Sequence, residues 1–185
     1  SADAVTFDLK GGTIADGAKL KTTDIETVTV KASSDESVDL STLTMATSGK
    51  TMALNVTGAN TLTISALNAD VTSIDASTKV TGGVVQTGRS STAAANYKGG
   101  AGADTFIMSN MSDTIDGSTG SDTLDINFAA VLGGINVNLS NATNQIVTAN
   151  GGAITGVVTN MENADLAGYT GTFGAMITAH ADGSS

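Results

Sequence analysis

Gly99-Gly100-Ala101-Gly102-Ala103-Asp104-Thr105-Phe106-Ile107 runs straight into Met108-Ser109-Asn110-Met111-Ser112-Asp113-Thr114-Ile115-Asp116 and then Gly117-Ser118-Thr119-Gly120-Ser121-Asp122-Thr123-Leu124-Asp125. The three stretches of nine align without a gap. Their sixth residue is always Asp (104, 113, 122) and their seventh always Thr. Their eighth is always large and apolar: Phe106, Ile115, Leu124. Nine residues divide into a six-residue turn and a three-residue strand whose middle side chain points inward. Two nines return the chain to its starting side. Residues 18 apart are therefore expected one above the other, at the ~4.8 Å spacing of neighbouring strands.

That stacking sets Asp104 beside Asp122. Two carboxylates so placed repel each other unless a cation lies between them. Calcium suits the position, being a hard ion that takes six to eight oxygens. The carboxylates supply some of these and turn carbonyls the rest, because glycine lets the turn backbone adopt positive φ. Asp116 and Asp125, at the ninth position, read as solvated or turn-capping.

Towards the N-terminus the chain is a series of short alternating segments: Ile25-Glu26-Thr27, Val28-Thr29-Val30, Val38-Asp39-Leu40, Leu43-Thr44-Met45, Met52 to Val56 and Leu62-Thr63-Ile64. An apolar residue at every second position is the signature of a strand with one buried face. Turn-forming clusters separate the segments: Ser33-Ser34-Asp35, Ser48-Gly49-Lys50, Gly58-Ala59-Asn60 and Asn68-Ala69-Asp70. Ile74 to Ser77 and Gly82 to Val85 continue the pattern. The spacing of about ten residues fits either a sandwich or a solenoid of stacked turns.

Beyond Ile126, strands are expected at Ile135–Leu139, Gln145–Val147, Ile154–Val158 and Ala175–Ile177. Met161-Glu162-Asn163 echoes Ile25-Glu26-Thr27, as a repeated corner in which Glu caps backbone groups would. Short helices are expected near Ala93-Ala94-Ala95 or Phe128–Leu132 and nowhere longer. Tyr97 is expected to cap the core of the nine-residue section.

Composition narrows the function. The 185 residues carry a formal net charge of −10, with eight Lys and Arg that form no cluster, so nucleic acid is an unsuitable partner. The absence of Cys removes disulfides, thiolate metal sites and thiol catalysis. No apolar run approaches the roughly 20 residues of a membrane helix, so no membrane insertion is expected. Only 3% of residues are aromatic, too few for a sugar-binding platform, and the glutamates 26, 36 and 162 are scattered. The single histidine, His180, has no G-x-S-x-G nucleophile elbow or second His to serve, and reads as a surface residue. The Gly99–Gly102 loop lacks the Lys and following helix of a phosphate cradle. No catalytic residue emerges, and the chain is expected not to be an enzyme.

The nines resemble the RTX calcium-binding repeat, G-G-x-G-x-D-x-U-x with U large and apolar. The first matches at every defined position. The third has Ser118 at the second Gly, and the middle one keeps only Asp113 and Ile115. The resemblance covers about 27 of the 185 residues. It implies a short parallel β-roll with Ca2+ held between the Gly99–Asp104 and Gly117–Asp122 loops. Gly99, Ala101, Asp104, Gly117, Thr119 and Asp122 are then the ligand residues. Asp113 is the ligand expected on the opposite side, where Met108, Ser109 and Met111 replace the glycines.

Thr61 to Leu67, Val71 to Ser77 and the Gly-rich stretch after them look like bacterial surface-layer proteins and large adhesins exported by type I secretion. That likeness implies an extracellular, cell-surface location, with neighbouring copies of the chain and cell-surface polysaccharide as partners.

The expected architecture is all-β, with stacked short strands as a β-solenoid or sandwich and a short parallel β-roll within it. Residues 1–95 form a Thr/Ser/Ala-rich repeat region, 96–127 the calcium roll and 128–185 a strand continuation, all within a longer chain. The expected function is a calcium-dependent, self-assembling unit of a surface layer or fibre. The alternatives are a rigid spacer in an adhesin and the secretion module of a toxin, protease or lipase.

Overall fold

Alternation of small polar and branched apolar residues builds the sheets. In Thr27–Ala32 the side chains of Val28, Val30 and Ala32 are buried, while Thr27, Thr29 and Lys31 face outward. Met52–Thr57 repeats this with Met52, Leu54 and Val56 inside. A computed structural model describes residues 2–11, 18–89, 93–127, 134–148, 154–171 and 174–178 of the chain. Among them every regular element is a strand. No helix there is long and apolar enough to cross a membrane.

Two seven-stranded sheets dominate. One runs in spatial order Ala4–Leu9, Thr27–Ala32, Met52–Thr57, Val71–Asp75, Asn96–Lys98, Thr114–Asp116, Val158–Thr159. The other runs Ala18–Lys19, Glu36–Leu40, Leu62–Leu67, Val84–Gln86, Thr105–Met108, Thr123–Ile126, Asn163–Asp165. All neighbouring pairs within both are parallel. Along the chain these strands alternate between the two sheets, and each pairs with the strand two steps earlier. Both sheets include strands from all three expected segments. Their inner faces share one apolar cluster, from Leu9 through Leu54 and Phe106 to Met161.

The segment after Ile126 departs from this alternation. Ile135–Asn138 pairs antiparallel with Ile146–Thr148 and parallel with Ala175–Thr178, as a separate three-stranded sheet. Of the expected Ile154–Val158 strand only Val158–Thr159 is strand, and it rejoins the first large sheet against Ile115 and Asp116. The outer side of Val158–Met161 meets Asn144 and Gln145, and the main-chain N–H of Gln145 donates to the Val158 carbonyl at 2.7 Å. Asn144 Oδ1 accepts the Val158 N–H, and Gln145 Oε1 accepts the Met161 N–H at 2.9 Å. Gln145 Nε2 donates to the Met161 and Leu139 carbonyls.

One expectation needs correction. Ala93-Ala94-Ala95 is not helical. Ala95 is buried, its N–H donates to Asp113 Oδ1 at 2.8 Å, and its carbonyl accepts the Thr114 N–H. Those contacts with the next layer outweigh alanine's modest helix propensity. Tyr97 lies in the layer just before the nine-residue section, in register with Ile74 on one side and Ile115 on the other. Its ring stacks on Phe106 at 5.5 Å between centroids. The expected Phe128–Leu132 helix lies outside the described residues, as does His180.

Candidate functional site

The three eighth-position residues, Phe106, Ile115 and Leu124, are fully buried. Thr105 is in register with Thr123 and Phe106 with Leu124, while Ile115 belongs to the opposite sheet and pairs with Tyr97. Residues 18 apart thus stack. Asp104 and Asp122 share one edge of the molecule, and Asp113 lies on the other.

On the shared edge the acids form a ladder between layers. Asp104 Oδ1 accepts the Val84 N–H at 2.6 Å, and Asp122 Oδ1 accepts the Asp104 N–H at 2.8 Å. Glu162 Oε2 accepts the Asp122 N–H at 2.8 Å, which extends the ladder one layer further. Glu26, the other member of the echoed corner, accepts the Asp3 N–H in the same way. The sequence echo marked both glutamates as caps. It did not reveal that Glu162 joins the Asp104–Asp122 column, because that pairing spans 40 residues.

Burial pushes the Asp104 carboxyl up, although the Val84 and Gly100 N–H groups and the Lys79 ammonium pull it back. The Asp122 carboxyl is pushed up to about 7. Burial is the main cause, and Asp104, Glu162 and Asp116 add to it against a single backbone hydrogen bond. Asp122 Oδ2 is buried without a hydrogen-bond partner, an arrangement that native interiors rarely tolerate.

Glycine keeps this space open. A Cβ on Gly117 would stand 2.6 Å from Asp122 Oδ2 and collide with the Asn160 carbonyl. One on Gly99 would strike the Gly117 carbonyl and Asp104 Oδ2. Ser118, which replaces an expected glycine, adopts the left-handed conformation at φ 71° and donates its hydroxyl to the Gly99 carbonyl. Ala101 and Thr119 sit at exposed turn tips, tied to the adjacent layer through N–H bonds to the Lys79 and Gly100 carbonyls at 3.1 Å. Asp116 caps its own turn by accepting the Ser118 N–H.

The opposite edge is arranged differently. Asp113 Oδ2 accepts the Ser109 and Asn110 N–H groups, and Oδ1 accepts Ala95 N–H and faces the Arg89 guanidinium. Neither Arg89 nor Lys79 stands out in its sequence surroundings. The Lys79 side chain is buried, with its ammonium on the Gly58 and Asn60 carbonyls at 3.1 and 2.7 Å.

Among the described residues no three His, Cys, Asp or Glu side chains converge on one point. An ion at the Asp104–Asp122 edge would therefore draw most of its oxygens from the main chain. That fits the chemistry of a hard cation, and the orphaned Asp122 oxygen and glycine-lined space are compatible with it. No protein-family model matches the chain, and neither curated proteins nor solved structures give a match.

Proposed function

We propose that the chain is a calcium-dependent structural module, a parallel β-solenoid whose residues 97–125 form a short β-roll, and that it serves in a bacterial surface layer or fibre outside the cell. The observation that carries this reading is Asp122. Its carboxylate is buried, one oxygen has no donor, and three other acids raise its pKa. Beyond Lys98 the sequence contains no Lys or Arg, while eight Asp and Glu remain. A cation taken from solution would supply the positive charge that Asp122, beyond the reach of Lys79, lacks.

A calcium ion would supply positive charge between the two loops. Asp104 and Asp122 would hold it through their carboxylates, and Gly99, Ala101, Gly117 and Thr119 through main-chain carbonyls. Ordering these loops by metal couples binding to folding. It also suits an extracellular setting, where affinities of roughly 0.1–1 mM are sufficient.

The test is calorimetric titration and thermal melting of the full chain with calcium and with chelator. Calcium is expected to raise the melting temperature, and Asp122→Asn to remove most of that rise. A melting curve identical with calcium and with chelator would overturn the reading. Electron microscopy of the calcium-loaded protein then addresses assembly, with ordered arrays supporting the lattice role. The spacer role in an adhesin draws support from the Asn144–Gln145 side chains that close one sheet edge, and dispersed particles at all calcium concentrations would favour it.

A further inference from the structure

Arg89 and Asp113 place two opposite charges inside the protein, both side chains wholly removed from solvent. The guanidinium Nη1 lies 3.5 Å from Asp113 Oδ1 and 3.2 Å from the Ser109 hydroxyl, and its carbon stands 5.8 Å from the Tyr97 ring centre. Burying a guanidinium is costly unless a partner charge offsets it. Asp113 is the carboxylate that it faces.

The two edges differ in how their carboxylates are satisfied. A carboxylate offers about four acceptor positions. Asp113 fills them with three backbone N–H groups, from Ala95, Ser109 and Asn110, and with Arg89. Asp122 receives one N–H on Oδ1 and nothing on Oδ2. Loop geometry differs as well. Ser118 and Gly120 bring positive φ to the Asp122 turn, whereas no residue of the Gly99–Asp104 or Met108–Asp113 turns has it.

Each edge also carries one internal cation a layer before its first buried acid. Lys79 precedes Asp104, and its carbonyl accepts the Ala101 N–H. Arg89 precedes Asp113. On the first edge the ladder continues past the reach of Lys79 to Asp122 and Glu162. On the second, the layer after Asp113 attaches through the Thr155 and Gly156 N–H groups to the Met111 carbonyl, without a further acid.

We infer that Arg89 takes the place of a metal ion on the Asp113 edge, a cation tethered to the chain, so that divalent ions load along the Asp104–Asp122 edge alone. This inference rests on reading that latter edge as the metal edge. It also reassigns Asp113 from metal ligand to counter-ion.

Two measurements on the full chain test it. Calcium stoichiometry, with terbium luminescence as a second probe, is expected to be the same in Asp113→Asn as in the unmodified protein and lower in Asp122→Asn. Loss of an ion in Asp113→Asn would overturn the inference. Calcium binding that is absent from the unmodified protein would instead sink the metal-edge reading.

The second measurement is thermal melting in chelator, which needs no metal. Arg89→Met is expected to melt about 10 °C lower, because it strands a buried carboxylate. The double variant Arg89→Met/Asp113→Asn is expected to recover part of the loss. A double variant less stable than Arg89→Met would refute the pairing. If Arg89→Met does not fold, Arg89→Lys decides the matter, since retained charge predicts a folded protein close to the unmodified one and an unfolded one refutes the pairing.

Discussion

The strands between Ala4 and Lys98 and those between Thr105 and Ile126 belong to the same pair of large sheets, yet several carboxylates beside them are shifted in opposite directions. In the first region Asp8 is held below the usual carboxylate range by the Ser33 hydroxyl and by Lys31 and Lys10, and Asp39 by Ser41 and Lys19. Glu26 is lowered by the Asp3 N–H and Asp75 by Ser77. In the second region Asp104, Asp113, Asp122 and Asp125 are all pushed up, each chiefly by burial. What changes is the surroundings of the carboxyl: the lowered ones meet hydrogen-bond donors near the surface, and the raised ones are drawn deeper from solvent. A lowered carboxyl adds stability at neutral pH and loses it in acid. A raised one costs stability at neutral pH and regains it in acid.

This contrast can be broken most forcefully from the first region. Leu54 is fully buried, in register with Val28 and Ile74. Leu54→Ala is expected to cost about 3 kcal/mol in denaturant titration, by the same amount with calcium and with chelator. A calcium-dependent cost would mean that the ion supports the first region too.

Next in size is calcium withdrawal read by amide hydrogen exchange. Protection between Thr105 and Ile126 is expected to fall about 100-fold from a calcium level of 100 times the dissociation constant, a loss of about 2.7 kcal/mol. Protection between Val28 and Asp75 should hold. Uniform loss across both regions would erase the distinction.

A smaller effect concerns pH. Between the ordinary carboxylate value and about 7, folded Asp122 keeps a proton that the unfolded chain has released, so stability falls as pH rises through that window. Chelated protein is expected to melt several degrees higher at pH 5 than at pH 8. Asp122→Asn should shrink the difference, and calcium should do the same. A melting point that rises from pH 5 to pH 8 in chelator would contradict the sign.

The smallest expected effect is on the surface of the first region. Lys31 is half exposed where it meets Asp8 at 3.3 Å. Lys31→Ala should change stability by no more than about 0.5 kcal/mol in denaturant titration.

The strands and the parallel stacking of the nine-residue section were legible because both periods are local, while the choice between sandwich and solenoid for the rest stayed open. Val28-Thr29-Val30 shows the two-residue period, and Asp104, Asp113 and Asp122 show the nine-residue one. From the latter alone the register of Phe106 with Leu124 follows, and so does the separation of Asp113 to the far edge. The internal cations were not legible. Lys79 lies among Ser, Thr and Val and Arg89 among Gly, Thr and Ser, surroundings in which a lone long cation ordinarily reaches water. Only the carbonyls of Gly58 and Asn60, about 20 residues back, make an interior place for Lys79. The side sheet around Ile135 was hidden for a related reason. Alternation marks Ile135–Asn138 as a strand, but it does not reveal which partner the strand takes or in which direction.

The Asn144 and Gln145 side chains bear on how copies of this protein could join. An open edge of parallel strands invites a newcomer to continue the hydrogen-bonding pattern, and proteins that avoid such growth plug the edge. Here two amide side chains mimic the donors and acceptors that an incoming backbone would offer to Val158 and Met161. Elongation by adding a strand at that end would first have to evict both amides. Copies that joined at this end would have to meet through other surfaces, and this one edge would not serve as a template for a continuing sheet.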